Sequence, residues 1–372
     1  MEILYYYPEL NNSMYKWQRI HFLDELTRYN INFDIFNPLL YDNLDQANEE
    51  LIRTIGVNKY DLFFTNLCNK KHIYPESLLE IKKKGIPAVS FRSDNLIIPF
   101  NDKELSPLFD IIWLTSVETS RLYERWGAKV YFAPYAANPF TYTYTDVPIN
   151  RKVCFIGSLY GSRPLMINKL TKEGVLVDAF SRKSAHSSSG VNKSDGVKFN
   201  MKGMTKWDLF KGRLSYSEGR KLLMGDLVSR LKGSEPIKEN VNLSLLPSVP
   251  FDEMIQNYGS YSLSIAYTSS ERTDILRNPL KIIDLRNFEI PMCGGVELCR
   301  YNKELASYFE DGKEMVFYNS DEEMIEKATY YTQKATDTEI KRIKAAARKK
   351  AENEHNWRVR FDGLFRELGL KC

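Results

Sequence analysis

The sequence predicts an α/β protein built from two parallel-sheet domains in tandem. Three observations carry this. The chain has 372 residues, about twice the usual domain length. Short apolar runs alternate with helical patterns, as in a parallel sheet covered on both faces. That alternation breaks off near the middle of the chain and then starts again. With 43% apolar residues, each half can bury a core.

In the first half the strand candidates are EILYYY (2–7), FDIFN (33–37), YDLFFTN (60–66), PAVSF (87–91) and FDIIWLTS (109–116). Between the first two, MYKWQRIHFLDELTRYN places Trp17, Ile20, Leu23 and Leu26 at helical spacing, with Asn30 as a stop. PESLLEIKKKGIP gives a helix opened by Pro75 and closed by Gly85, leading into the fourth strand. The stretch 131–143 holds prolines and no clear period, so the domain boundary is expected near 145–151. This makes 1–148 the first domain and 149–350 the second.

The second half opens with KVCFIGS (152–158), a small-residue turn, a helix over 163–172 and a strand VLVDAFS. From 182 to 241 the alternation stops. SAHSSSGVNKSDG reads as a mobile loop, followed by one or two basic helices, all taken as an insertion in the second domain. Alternation resumes with a helix at 251–259, a strand at 262–267, a helix from Pro279 into the turn Gly294-Gly295, a strand at 296–299, a helix at 302–309 and a strand at 315–319. Ser320 and Glu323 form a capping-box pattern, a Lys/Arg/Ala helix follows, and 351–372 is expected to be helical and to pack back toward the first domain.

Composition narrows the function classes. No run of about 18 uncharged apolar residues occurs, and MEILYYYPEL lacks the marks of a signal peptide, so a cytoplasmic protein is expected. Five cysteines without a C-x-x-C pair fit a reducing compartment, and four scattered histidines offer no zinc-ligand spacing. Neither metal nor cofactor is expected. The net charge is +4, but 182–238 holds 13 Lys/Arg against 5 Asp/Glu, so basic surface is concentrated there.

Two motifs suggest chemistry. FIGSLYGSR (155–163) is a strand, a small-residue turn and a helix start. Its backbone N–H groups at Gly157 and Ser158 could hold a diphosphate, with Arg163 adding a cation; an ordinary tight β–α turn is the alternative. RNFEIPMCGG (286–295) carries Arg286 and Glu289 into a double glycine, Gly294 and Gly295. A carboxylate there can accept both hydroxyls of a ribose; a solvated Glu and a glycine helix cap are the alternative.

These segments, with VPFDEMIQNYGSYSLSIAY and the run from Arg286 through Tyr331, resemble the CgeB-like (spore-maturation-protein-like) glycosyltransferases. That group is of the GT-B type, two Rossmann-like domains facing across a cleft, and is related to glycosyltransferase families 1 and 4. HNWRVRFDGLF is similar to that group's closing segment. Two departures are Met292 in place of Ala before Cys293 and the long 182–238 segment. The resemblance implies transfer of a sugar, a hexose as the expected kind, from a nucleotide diphosphate sugar held by the second domain. The acceptor, a glycan, lipid-linked or protein molecule, would be held by the first. Glu289 would hold the donor ribose, Gly294 and Gly295 would lie beside sugar or phosphates, and Arg286 and Arg163 would neutralise the diphosphate. Glu289 and Glu297 have the E-x7-E spacing of family 4, but in the wrong register. Glu289 matches the second Glu of that motif and Lys281 stands where the first would be.

The chain holds no D-x-D, so metal-independent stabilisation of the leaving group by Arg163, Lys281 and Arg286 is expected. For an inverting reaction Asp94, at a strand's carboxyl end, is the first candidate base and His21 the second; an Asx turn or helix cap is the bland role for Asp94. The expected partners are a nucleotide-sugar donor and a glycan or glycoconjugate acceptor, with peripheral contact to anionic membrane; nucleic acid is not expected. The rival reading is a nucleic-acid- or membrane-binding scaffold of the same fold without transferase activity, resting on the basic segment 182–238, on the basic helix KRIKAAARKKAENEHNWRVR (341–360), which could track phosphates, and on Trp207, Phe210 and Tyr216.

Overall fold

The structure, a computed structural model, describes residues 1–9, 17–181, 204–232 and 236–371. The expected loop over 184–196 lies outside the described residues. In chain order the elements are β1 (Glu2–Tyr6), α1 (Asp24–Leu26, preceded by a π turn over Arg19–Leu23), β2 (Asn32–Phe36), α2 (Leu44–Val57), β3 (Leu62–Thr65), α3 (Pro75–Lys83), β4 (Ala88–Arg92), β5 (Ile111–Leu114), α4 (Ser120–Arg125) and β6 (Val130–Phe132). They continue with β7 (Asn150–Ile156), α5 (Arg163–Lys172), β8 (Val177–Phe180), α6 (Lys206–Leu214), α7 (Ser217–Lys232), β9 (Leu243–Leu246), α8 (Phe251–Ser260), β10 (Tyr261–Ile265), α9 (Arg286–Met292), β11 (Glu297–Arg300), α10 (Leu305–Tyr308), β12 (Val316–Tyr318), α11 (Asp321–Thr329), α12 (Asp337–Glu354) and α13 (Trp357–Leu368).

Two compact units result. One holds the described residues of 1–134, 189–223 and 357–372, the other those of 135–188 and 224–356. The first is a six-stranded parallel sheet in the order β2-β1-β3-β4-β5-β6. Every residue of β3 and β5 is buried, as both faces of a parallel sheet require. Asn30 takes the left-handed conformation (φ 58°) and stops the first helical segment, and Pro75 opens α3. Trp357 and Phe361 of α13 pack on Phe22, Phe91 and Trp113, with ring centroids 5.1–6.3 Å apart. The Glu25 carboxylate accepts the N–H groups of Trp357 (3.2 Å) and Arg358 (2.6 Å), meeting two helix-start donors that would otherwise be orphaned.

The second unit is a parallel sheet ordered β12-β11-β10-β7-β8-β9 around a core of Val153, Leu263, Leu298 and Val316. Residues 135–148, read from sequence as the end of the first domain, count with this unit. The reason is a set of polar contacts: Ala137 donates its N–H to the His355 carbonyl (3.1 Å), Arg348 donates to the carbonyls of Pro139 (2.9 Å) and Tyr142, and Tyr142 donates to Glu289. α6, expected in an insertion of the second domain, counts with the first unit, because Tyr216 donates to the carbonyls of Leu96 and Ile97, both at 2.9 Å.

The expected helix from Pro279 is shorter, starting at Arg286. Before it the backbone bridges to the strand-like stretch 268–270, with Ile282 N–H on Thr268 O (2.8 Å) and Ser270 N–H on Leu280 O (2.8 Å). At α11 Ser320 caps Glu323 (3.2 Å), while the Glu323 carboxylate returns to the N–H of Asn319 (2.7 Å), one residue earlier than a capping box. Among the described residues no helix is long and apolar enough to cross a membrane.

Candidate functional site

In the second unit the strand order reverses between β7 and β10, and in open α/β sheets the crevice beyond the carboxyl ends at such a switch point is where ligands bind. Two segments meet at that edge, the β7–α5 turn and the loop after β10; α9 follows that loop, and its glycine turn leads into the amino end of β11. A cavity of about 270 Å³ opens there, lined in part by Ser162 of the turn and Lys169 of α5, by Tyr267 and Thr268 after β10, and by Arg300 at the end of β11.

Gly157, Ser158 and Arg163 share one turn. The Gly157 N–H is used by the sheet, donating to Phe180 O (3.0 Å), while the Arg163 guanidinium donates to Ser158 O (3.0 Å) and lies over the rings of Tyr160 (4.2 Å) and Tyr267 (5.1 Å). Of the two amides proposed for an anion, the Gly157 one is thus committed to the fold. Ser162, just before α5, donates its hydroxyl to Asp274.

On α9 the arrangement is tighter. Arg286 donates to the hydroxyl of Tyr258, and its N–H is held by Asp284 (2.9 Å). Burial pushes the Asp284 carboxyl up, while Arg286 and Arg163 pull it back; Asp284 therefore lies within the field of both arginines, linking the β7 turn to α9. Glu289 is 5% exposed and accepts the hydroxyl of Tyr142, which is fully buried. Burial, reinforced by the Glu289 charge, drives the Tyr142 hydroxyl well up, so it remains a donor.

The solvated reading of Glu289 is thereby excluded, whereas the cap reading of Gly294 holds. Gly294 is left-handed (φ 68°) just past the end of α9, and its N–H returns to Pro291 O (2.9 Å). A Cβ there would meet the Tyr144 ring at 2.2 Å, and one on Gly295 would meet Tyr258 O at 2.7 Å and Ile290 Cγ2 at 2.8 Å. Both glycines make room for the protein's own atoms.

Lys281 is exposed and donates to Tyr301 O (2.9 Å); no hydrogen bond joins it to Arg163, Arg286 or Glu289 among the described residues. In the first unit, Asp94 stands two residues past the end of β4, exposed and left-handed (φ 53°), and its carbonyl receives the Ile97 N–H (3.0 Å) in a turn. The neighbouring Asn95 braces this turn, accepting the N–H groups of Thr115 (3.1 Å) and Ser116 (3.0 Å). His21 is another matter. At 1% exposure it is packed between Trp17 and Trp357 and accepts the Trp357 indole N–H (3.2 Å), so an acceptor hydroxyl does not reach it; its role is in the core.

Tyr142, Tyr258, Asp284 and Arg348 are the members sequence reasoning missed. Tyr142 lay in the aperiodic stretch read as a linker. Arg348 lay in a helix read as basic surface, yet it donates to Met292 O at the carboxyl end of α9 and so meets a carbonyl with no partner in the helix. Among the described residues no three His, Cys, Asp or Glu side chains are grouped to hold a metal ion.

Comparison with known proteins bears on the fold. Residues 219–366 match the family described as glycosyl transferase-like. HepE from Anabaena, solved with UDP, shares the fold with a TM-score of 0.58 at 11% identity, over 99% of this chain and 100% of that one. Sucrose-phosphate synthase from Thermosynechococcus elongatus superposes with a TM-score of 0.55 at 10% identity, over 99% of each chain. An α-glucosyltransferase solved with UDP-glucose and DNA containing an abasic site gives 0.57 at 11% identity, over 98% of each. No curated protein sequence matches the chain. At such identities the likeness establishes the fold. The chain thus has the fold of GT-B glycosyltransferases, and its residues 219–366 match the glycosyl transferase-like family model.

Proposed function

We propose that this protein transfers a hexose from a nucleotide diphosphate sugar to a glycan, lipid-linked or protein acceptor without a metal ion, and that it stands nearest the CgeB-like branch of GT-B transferases. The observation that supports the reading is the pairing of Arg286 and Glu289 on α9: both lie inside the transferase-like region, on the helix that joins the loop after β10 to β11. UDP-glucose is the first donor to test, because HepE has been solved with it.

In this reading Glu289 accepts the ribose hydroxyls, and the Ser158 amide with Arg163, Lys281 and Arg286 balances the charge that grows on the diphosphate as the sugar C1–O bond breaks. Positive groups at a partly dry site are worth more than the same groups in water. If the reaction inverts, Asp94 takes the proton from the acceptor hydroxyl as its oxygen bonds to C1. Two of the basic residues of α12, Arg348 and Lys344, donate to carbonyls within the unit, which reduces what that helix could offer a nucleic acid.

Calorimetric titration of the full chain with UDP, GDP, ADP, TDP, CMP and UDP-glucose, in EDTA, tests this. One nucleoside diphosphate should bind and the others should not. Silence across the panel would refute the donor assignment, and binding that appears only with added Mg²⁺ or Mn²⁺ would refute metal independence.

A further inference from the structure

Among the described residues, six of the 19 exposed large apolar side chains fall on α6 and α7: Trp207, Phe210, Leu214, Met224, Leu227 and Leu231. The proposed reaction uses none of them. α6 lies wholly in the first unit and shows why its three stay in the open. Trp207 (61% exposed), Phe210 (40%) and Leu214 (45%) are spaced to share one helix face. The opposite face is anchored. A Cβ on Gly212 would stand 2.2 Å from the Phe100 ring, so glycine alone lets that ring seat against the helix. Tyr216, 3% exposed just beyond the helix, is tied to the carbonyls of Leu96 and Ile97. Packing therefore turns the apolar stripe outward, where no described residue of the unit covers it.

The stripe has a positive border. Lys206 and Lys211 are exposed, and the Lys211 ammonium lies 5.0 Å from the Trp207 ring centre. Asp208, the one acid on α6, is turned back into the helix cap, accepting the Thr205 hydroxyl (2.7 Å) and N–H (3.2 Å). The surrounding sequence, 182–238, carries the excess of 13 basic over 5 acidic residues.

We propose that α6 docks on an anionic bilayer, with Trp207, Phe210 and Leu214 entering the headgroup–acyl boundary and Lys206 and Lys211 meeting lipid phosphates. An aromatic and leucine stripe flanked by lysines whose stems run along it suits that boundary. Single-stranded nucleic acid fits less well, because Trp207 and Phe210 already stack on each other (5.6 Å, 15°) and Leu214 offers no stacking face. A second copy of this chain would have to accept the same basic border against its own. Docking by α6 would also bring down to the membrane the loop from Asp94 to Phe100 on which it is seated. This step, which rests on the proposed function, selects a lipid-linked acceptor.

Vesicle co-sedimentation of the full chain tests the docking. The protein should pellet with phosphatidylcholine vesicles containing phosphatidylglycerol and not with pure phosphatidylcholine, and rising salt should weaken it. The triple variant Trp207→Ser, Phe210→Ser, Leu214→Ser should lose about tenfold or more of that binding, and Lys206→Gln with Lys211→Gln should lose less. The triple variant should keep wild-type nucleotide binding, which shows that it folds and keeps the test separate from the donor assignment. Wild-type protein that ignores anionic vesicles, or a triple variant that binds them as well as wild type, would overturn the proposal. So would a stripe variant that dissociates a dimer or loses oligonucleotide binding while vesicle binding stays intact.

Discussion

Replacing Glu289 by Gln separates what this carboxylate does for the fold from what it does for a ligand. At 5% exposure Glu289 holds the buried Tyr142 hydroxyl, and Glu289→Ala would strand that donor at a cost of about 1–3 kcal/mol, confusing binding with folding. Gln keeps the shape and an oxygen that still accepts from Tyr142, so unfolding in urea should change by less than about 1 kcal/mol. The charge and one acceptor are gone, however. Ribose hydroxyls that donated to the carboxylate would meet an amide N–H instead, weakening binding by about 1–3 kcal/mol, or roughly 5- to 150-fold in Kd. Calorimetric titration with UDP measures this directly. A Glu289→Gln protein that unfolds like wild type and binds UDP with wild-type affinity would refute the ribose assignment. Tyr142→Phe is the companion: it removes the donor, not the acceptor, and should change UDP affinity less than Glu289→Gln does.

Three further perturbations follow from the same geometry. Asp94→Asn should leave UDP affinity unchanged and lower kcat about 10²- to 10⁴-fold if Asp94 is the base; a kcat within a few-fold of wild type removes it from the chemistry. Gly295→Ala forces a Cβ to within 2.7 Å of Tyr258 O and 3.0 Å of Ile290 O, backbone atoms that cannot swing away, and should destabilise by about 1–3 kcal/mol in chemical denaturation. An unchanged midpoint would show that the helix–strand packing is looser than described. Burial pushes the Glu297 carboxyl up to about 8, above its ordinary 4.5, so the folded state holds a proton that the unfolded chain has released. Its contribution to stability is complete below pH 4.5 and is lost as pH rises through 8. Glu297→Gln, which mimics the protonated form beside Asn287, should therefore gain on wild type by about 1.4 kcal/mol per pH unit within that window, and a constant difference from pH 5 to 9 would refute the shift.

Much of the architecture was readable because local physics writes it into the chain. Runs such as LFFT and IIWL are apolar at every position, since a parallel strand is buried on both faces, and they were assigned correctly. Pro75, Asn30 and Gly294 marked helix ends because their backbone preferences act within a turn. β6, β9, α2 and α4 were not foreseen. β6 and β9 are only half buried, so neither a full apolar run nor clean alternation marks them. Of the candidate site, the sequence marked Arg286 and Glu289 by their place before a double glycine.

What the sequence determined by itself is therefore the succession of strands and helices, their division into two α/β halves, and the turns where small residues and charges meet. Tertiary structure alone decided that Glu289 is buried against Tyr142, that Arg348 serves carbonyls rather than a phosphate, that His21 is core, and that α6 shows an apolar face to solvent. Each of these depends on residues far apart in the chain arriving at one place: Tyr142 and Glu289, for example, are 147 positions apart. Periodicity and spacing report what a residue does to its neighbours in sequence, whereas burial, pairing and proton affinity are set by neighbours in space, which only the folded packing supplies.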